Sequence, residues 1–423
     1  MRDLKSKAVR IHGKNDLRLE TVELPEITDD EILARVVSDS LCMSSYKAAV
    51  QGGSHKRVPD NVEANPVMIG HEFCGEVVSV GRNVEQYASP GDKFTVQPAM
   101  FYKGSLDAPG YSYPFYGGDA TYIVIPKEVF ETGCFLKYDG EAYYMGSLAE
   151  PMSCCLGGFH CCYHMQPGVY EHSMGIQEGG NMAILAGVGP MGLGMIDYAL
   201  HGPRRPKLLV VTDIDPERLA RAEKLFPAAE AEKQGVELHF VNTADKTAED
   251  ILDCTDGRGF NDVFVMAPVK PVVEMGDRLL AADGCMNFFA GPTNPEFSAD
   301  LNLYNVHYGQ THLCGNSGGN TDDMKEFLEM AARSELDPSI MVTHVGGLDA
   351  VVDATLNLPN IPGGKKLIYT QISMPLTAIS DFAALGEHDP IFAELARITD
   401  ANQGLWSAEA EKYLLANAKP IGD

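Results

Sequence analysis

Residues 184–200 read ILAGVGPMGLGMIDYAL, and this stretch decides the fold. Gly187, Gly189 and Gly192 stand in the G-x-G-x-x-G spacing. Alone the pattern is weak, because 42 of the 423 residues are glycine. Its context is what carries weight. An apolar run, Ala183 to Ala186, precedes it as a strand, and a helix-compatible run follows. The glycines permit a tight turn and let a pyrophosphate approach the N–H groups at a helix start. Pro190 fits early in that helix, where its missing N–H costs little, and Met191 beside it is a further cofactor-binding candidate. The next strand-like run, LLVVTDID, reaches Asp213, and 213 − 192 places that acid 21 residues after the last glycine. A carboxylate there accepts hydrogen bonds from ribose hydroxyls and repels a 2′-phosphate, so NAD(H) is preferred. Arg218, close behind it, keeps NADP(H) open.

Working outward, the buried-strand runs NMAILAGVG, KLLVVTDID, DVFVMAP and CMNFFAG alternate with helical stretches such as PERLARAEKLF and KPVVEMGDRLLAA. That alternation predicts a doubly wound parallel sheet, an α/β fold. From Ala8 to about Ile125 the texture is different: short apolar runs punctuated by Gly, Pro and Asp predict a β-rich domain. After His312–Gly319, a helix over TDDMKEFLEMAARSEL is expected with Thr321 as its N-cap. Helical patches follow to the end, around the single tryptophan, Trp406.

At 423 residues the chain is long enough for two domains. Lys plus Arg number 33 against 59 Asp plus Glu, a net charge of −26 that argues against a nucleic-acid partner. No run reads as a membrane span, and the N-terminus shows no apolar leader. Ten cysteines in a chain of this size predict reduced thiols and a cytoplasmic location.

A second motif lies in NPVMIGHEFCGEVVSVG, residues 65–81. His71 and Glu72 head an alternating strand, where side chains that resist burial need a reason. Zinc takes Cys, His and carboxylate ligands, and a catalytic site keeps one position open. Cys42 in SDSLCMSSYK and Glu150 in SLAEPMS are further candidates.

GHEFCGEVVSVGRNV resembles the zinc signature of the medium-chain dehydrogenase/reductase family. The resemblance runs from Cys42 to SIMVTHVGGLDAVVDAT, most of the chain. It implies a GroES-like catalytic domain over residues 1–175, a Rossmann NAD(P)-binding domain over 176–316, and a return to the catalytic domain with a helical tail over 317–423. It also implies Cys42, His71 and Glu150 as catalytic-zinc ligands. Glutamate at 150 resembles the polyol dehydrogenases, in which the glutamate beside the histidine can enter the shell, so Glu72 and Glu150 share that place. Ser44 matches the relay hydroxyl, while Ser45 and Lys47 replace the aspartate and histidine of alcohol dehydrogenases.

The family's four-cysteine lobe has no counterpart in residues 97–118, so one catalytic zinc and no structural zinc are expected. PGYSYP, NFFAGP, SGGNTDDM, GGKKLIYT and LWSAEAEKYLLA are similar to family members that interconvert a ketose phosphate and an alditol phosphate. The resemblance implies hydride transfer with a nicotinamide and a homo-oligomeric protein, a dimer or tetramer. Lys47, His55, Lys56 and Arg57 are candidates for a substrate phosphate. Lys365 and Lys366 sit where relatives have basic residues near the cofactor pyrophosphate. The alternatives are a zinc dehydrogenase of unphosphorylated polyols or alcohols, and a nucleotide-binding protein without catalysis. Cys154, Cys155, Cys161 and Cys162, in CCLGGFHCC, lack a C-x-x-C spacing and read as buried apolar thiols. His160 and His164 read as satisfied histidines.

Overall fold

The computed structural model describes residues 4–166 and 168–422. The chain forms two compact units. One comprises the stretch ending at Glu150, Met324–Ala332 and the stretch from Val342 onward; the other comprises Pro151–Asp323 and Arg333–Met341. Position 175 therefore lies inside the second unit, which already includes most of the helix Ala149–Cys161.

The second unit is built on six parallel strands. Across the sheet they run Glu237–Asn242, Leu208–Asp213, Asn181–Leu185, Phe260–Val265, Leu280–Phe288 and His312–Cys314. The first strand in sequence lies inside the sheet with its successors on both sides, so the order reverses beside it. Ligands of open α/β sheets bind at such a reversal. Asn181–Leu185 is buried at every position, as a strand covered on both faces must be. The helix Pro190–His201 follows, with Gly189 as N-cap and proline at the first helical position. Two local expectations shift by a few residues. Leu280 and Ala281, expected to extend a helix, begin the fifth strand instead. The cap of Thr321–Ala332 is Asn320, whose Oδ1 accepts from the N–H groups of Asp322 and Asp323.

The first unit contains a mixed sheet whose path runs Thr377–Ala378, Val342–Gly347, Lys365–Tyr369, Ile32–Ser40, Cys74–Val80, Lys93–Val96 and Phe135–Lys137. Ile32–Ser40 also pairs with Tyr122–Ile125. The strand Lys365–Tyr369, near the end of the chain, lies antiparallel beside Ile32–Ser40 with Leu367 opposite Ser40. That long-range pairing carries the lysines at its start to the segment that precedes Cys42.

The C-terminal helices pack around Trp406, which is fully buried. Its Nε1 donates to Tyr369 Oη at 2.8 Å, and Tyr369 donates to Glu411 at 2.8 Å. Glu411 also accepts from the N–H groups of Tyr143 and Tyr144. The tail thus caps the helix Tyr143–Ser147, one turn before Glu150, with a carboxylate suited to a helix start. Among the described residues no helix is long and apolar enough to cross a membrane, and no disulfide forms.

Candidate functional site

In the first unit Cys42, at the mouth of the helix Met43–Gln51, meets the polar head of the GHE strand. One ligand atom from each of Cys42, His71 and Glu72 lies within 4.8 Å of the others. His71 and Glu72 are buried, at 5% and 1% exposure. The glycine before them has φ +94°, and a Cβ there would stand 2.1 Å from Asp39 Oδ2, so only glycine allows the approach.

Each polar atom is held from behind. Ser45 Oγ lies 3.1 Å from His71 Nδ1, which orients the ring and leaves Nε2 facing Tyr111 Oη at 3.3 Å. Burial lowers the His71 imidazole to about 4, so the ring is neutral and able to ligate. Burial raises the Cys42 thiol to about 12, with the neighbouring Glu72 carboxylate adding to it. A cation replacing that thiol proton would therefore be well matched to the pocket. Thiol, neutral imidazole and carboxylate, three donors without a fourth protein ligand in the group, fit the donor set of a catalytic zinc site.

Glu72 is held most tightly. Lys365 Nζ donates to both of its oxygens, at 2.5 and 2.6 Å, and Ser40 Oγ donates to one. Its own N–H donates to Asp39 Oδ1 at 3.1 Å. Asp39 and Asp119 are both fully buried. Burial and the carboxylates around it push Asp39 well above the usual range, and burial pushes Asp119 up to about 7. With one buried cation among three carboxyls, Glu72 is the one held in the charged form, and both aspartates are pushed toward their protonated forms. Glu150 opens the helix Ala149–Cys161 at 8% exposure, close enough to act electrostatically on Cys42, Tyr111 and Lys365.

Lys365 is thus not a surface cation for a pyrophosphate; it is buried and paired with Glu72. Lys366 donates to the carbonyls of Ile361, Pro362 and Gly364. Of the four cationic candidates near Cys42, two reach the site through Tyr111. The Arg57 guanidinium lies 5.4 Å over the Tyr111 ring, and His55 stacks on it at 5.7 Å. Burial lowers His55 to about 4, with Arg57, Lys56 and Lys47 adding to the effect. Ser44 is half-buried on the helix beside Cys42, while Ser45 faces inward to His71.

In the second unit the glycine turn is backbone throughout. A Cβ on Gly192 would stand 2.0 Å from Gly187 O, whereas one on Gly189 would meet nothing nearer than Arg218 Nη2 at 3.8 Å. The turn is closed beneath and open above, which suits a ligand phosphate. Asp213 ends its strand with Oδ1 accepting from the N–H groups of Ile214 and Asp215. His160 and His164 are satisfied. His160 lies against Asp323 and Tyr198, and His164 against Asp262 and the Asp283 carbonyl.

Residues 28–132 match the alcohol dehydrogenase GroES-like domain family, and residues 190–333 match the zinc-binding dehydrogenase family. The chain belongs to the zinc-binding dehydrogenases of the medium-chain family. It is 52% identical to mannitol-1-phosphate 5-dehydrogenase of Aliivibrio fischeri, over 96% of this chain and 97% of that one. It is 47% identical to L-sorbose 1-phosphate reductase of Klebsiella pneumoniae, over 98% of each. Among solved structures, 2R,3R-butanediol dehydrogenase from Bacillus subtilis matches with a TM-score of 0.68 at 21% identity, over 86% of this chain and 99% of that one. The fold is accordingly a GroES-like domain joined to a Rossmann domain.

Ser45, Tyr111, Asp39, Asp119 and Lys365 escaped the reading of the sequence as parts of this site. Ser45 and Lys365 were noticed there in other roles; Asp39, Tyr111 and Asp119 were not noticed as site residues.

Proposed function

We propose that the protein is a zinc- and nicotinamide-dependent oxidoreductase that interconverts a ketose phosphate and an alditol phosphate, the pair L-sorbose 1-phosphate and D-glucitol 6-phosphate among them. Cys42 and His71 would hold the zinc with a carboxylate from Glu150 or Glu72. Glu72, whose oxygens also accept from Lys365 and Ser40, and Glu150 would exchange that place. A zinc held there supplies a Lewis acid to the substrate oxygen. A nicotinamide cofactor supplies the hydride acceptor or donor, with Gly187, Gly189, Pro190, Met191 and Gly192 cradling its phosphates. Asp213 binds its ribose, so NAD(H) is preferred; Arg218, over Gly189, is the cation for a 2′-phosphate if NADP(H) is used.

The chain's own groups do the remaining work. Ser45 fixes the His71 ring, Lys365 keeps Glu72 ionised, and Ser44 passes the substrate proton outward. The observation that favours a phosphorylated substrate is the contact series from His71 through Tyr111 to Arg57, which puts a cation one ring away from the reacting end. Lys47 and Lys56 add charge to the same patch. Cytoplasmic location and self-association remain part of this reading. The helix Leu303–Tyr308 supports the second, since it exposes Leu303, Tyr304 and Tyr308 just before the edge strand His312–Cys314.

The test follows nicotinamide absorbance with both cofactors against ketose phosphates, alditol phosphates and free polyols. Phosphorylated hexitols and ketoses should be preferred, and Arg57→Glu or Lys47→Glu should raise KM for them roughly tenfold or more while sparing free polyols. Equal kcat/KM for free and phosphorylated polyols would refute the phosphate reading. Turnover of no substrate by zinc-loaded protein would favour a binding protein instead.

A further inference from the structure

Four cysteines converge in the second unit. Cys161 ends the helix Ala149–Cys161 and Cys162 follows it; Cys285 lies in the strand Leu280–Phe288, and Cys314 ends the edge strand His312–Cys314. Cys285 and Cys314 are 3.5 Å apart at sulfur, and Cys161 and Cys314 are 4.0 Å apart. The sulfurs of Cys162, Cys285 and Cys314 all lie within 4.8 Å of one another. Tetrahedral zinc with bonds of about 2.3 Å needs sulfurs about 3.8 Å apart, so Cys162, Cys285 and Cys314 stand near closing distance, and Cys161, close to Cys314 but outside that group of three, would turn inward to complete the set.

Packed thiols alone would bring sulfurs near each other, but they would not bring a buried amide. Asn287 is fully buried; its Nδ2 donates to the Gly158 carbonyl at 2.9 Å and also lies 3.1 Å from Cys161 Sγ and 4.0 Å from Cys162 Sγ. Its Oδ1 has no partner among the described residues. One amide hydrogen is accounted for by Gly158, which leaves the second directed at sulfur and that oxygen unpaired; N–H donors to metal-bound thiolates are the usual outer contacts of such sites. The register explains how the groups meet. Cys285 and Asn287, two apart, share one face of their strand, and Asn287 pairs with Cys314 across the parallel ladder. Cys161 and Cys162 come to that face because the helix stops between them, so the second departs from the helical path and both sulfurs turn the same way.

We infer that Cys161, Cys162, Cys285 and Cys314 form a second metal site, a closed tetrathiolate that takes Zn2+ and fastens the edge strand to the helix that starts at Ala149. Four thiolates leave no position for substrate, so the site is structural, and binding displaces the thiol protons. Cys161 and Cys314 are partly exposed and give the ion a way in. The site revises the expectation of a single zinc. The family's lobe is absent from residues 97–118, yet a different sulfur set stands in the other unit. Adjacent cysteines and two strand positions have none of the C-x-x-C spacing by which thiolate sites are read from sequence.

The test counts metal by inductively coupled plasma mass spectrometry in full-length protein purified with reductant and no chelator. The Cys42→Ser/His71→Ala variant, which dismantles the other candidate site, should keep about one zinc per chain. Adding Cys285→Ser and Cys314→Ser should remove it. Cobalt exchanged into the first variant should give intense sulfur-to-metal charge-transfer bands and the visible bands of a tetrahedral centre. Because serine at these positions could impair folding, the cobalt spectrum of the otherwise intact second unit is the deciding measurement. A zinc-free Cys42→Ser/His71→Ala protein with all its thiols open to titration would overturn the site. So would a disulfide among the four in freshly reduced protein, or a cobalt spectrum without thiolate bands.

Discussion

The glycine turn of the second unit and the Cys42–His71–Glu72 cluster of the first solve opposite problems. The turn is made of backbone, lies within about thirty consecutive residues, and is shaped by the absence of side chains. The cluster is made of buried side chains drawn from five distant stretches, and its charges must be balanced in space. A backbone site is therefore broken by added volume and barely notices charge. A side-chain site is broken by any change that leaves a neighbour without its partner.

The largest expected effect belongs to the cluster. Cys42→Ala removes the thiol donor, and turnover should fall by at least about 10³-fold, together with loss of zinc from this site. Parallel metal counts and steady-state rates check it; wild-type turnover in protein lacking that zinc would show that the cluster is not the reacting centre.

Next comes Lys365→Met, which leaves the Glu72 carboxylate buried without its cation. Breaking a buried pair costs about 3–5 kcal/mol. The variant should lose roughly that much in urea unfolding, and Glu72→Gln added to it should restore a large part. A strictly additive double variant would mean that the pair does not act as a unit. The loss should deepen as pH rises, since only an ionised Glu72 is penalised without the lysine.

How much of this was readable follows the same division. The doubly wound sheet, the turn, Pro190 at the first helical position and Asp213 at a strand end came from local pattern, because each depends on neighbours in sequence. GHE and Cys42 were readable as donor types. Their supporting groups were not. Lys365 was assigned, with Lys366, to a cofactor pyrophosphate because relatives carry basic residues at that place. Which of them faces inward is set by pairing with Ile32–Ser40, more than three hundred residues earlier. Ser45 was placed as a replaced aspartate, and only the start of the helix at Met43 turns it toward His71. Glu411 carried no signal in the sequence, yet three hydrogen bonds hold it at the start of the helix Tyr143–Ser147.

The turn should respond to volume. Gly192→Ala drives a methyl to within 2.0 Å of Gly187 O, and backbone cannot yield as a flexible side chain does. Such overpacking costs about 1–3 kcal/mol. Thermal unfolding should report that loss, and coenzyme fluorescence should report weaker nucleotide binding, with zinc content unchanged. Unaltered coenzyme affinity would mean that the turn does not touch the nucleotide.

The smallest effect tests whether charge matters at all near the turn. His201 ends the helix that the turn begins, with Nδ1 2.9 Å from Asp197 Oδ1, while the other Asp197 oxygen accepts from the Asp337 N–H. The hydrogen bond that His201 donates to the Asp197 carboxylate raises the imidazole above its ordinary value, and the helix C-terminus also favours the cation. A raised folded value means that the contribution is complete below about pH 6.5 and fades as pH climbs through the folded value. Because the ring is about one-third exposed, solvent screens the pair, and about 0.5–1 kcal/mol is expected. Urea midpoints at about pH 6 and about pH 9 should differ more in the wild type than in His201→Gln. A difference of several kcal/mol would place a charge-dependent element in the nucleotide unit comparable to Lys365–Glu72, and the contrast between a site of shape and a site of charge would fail.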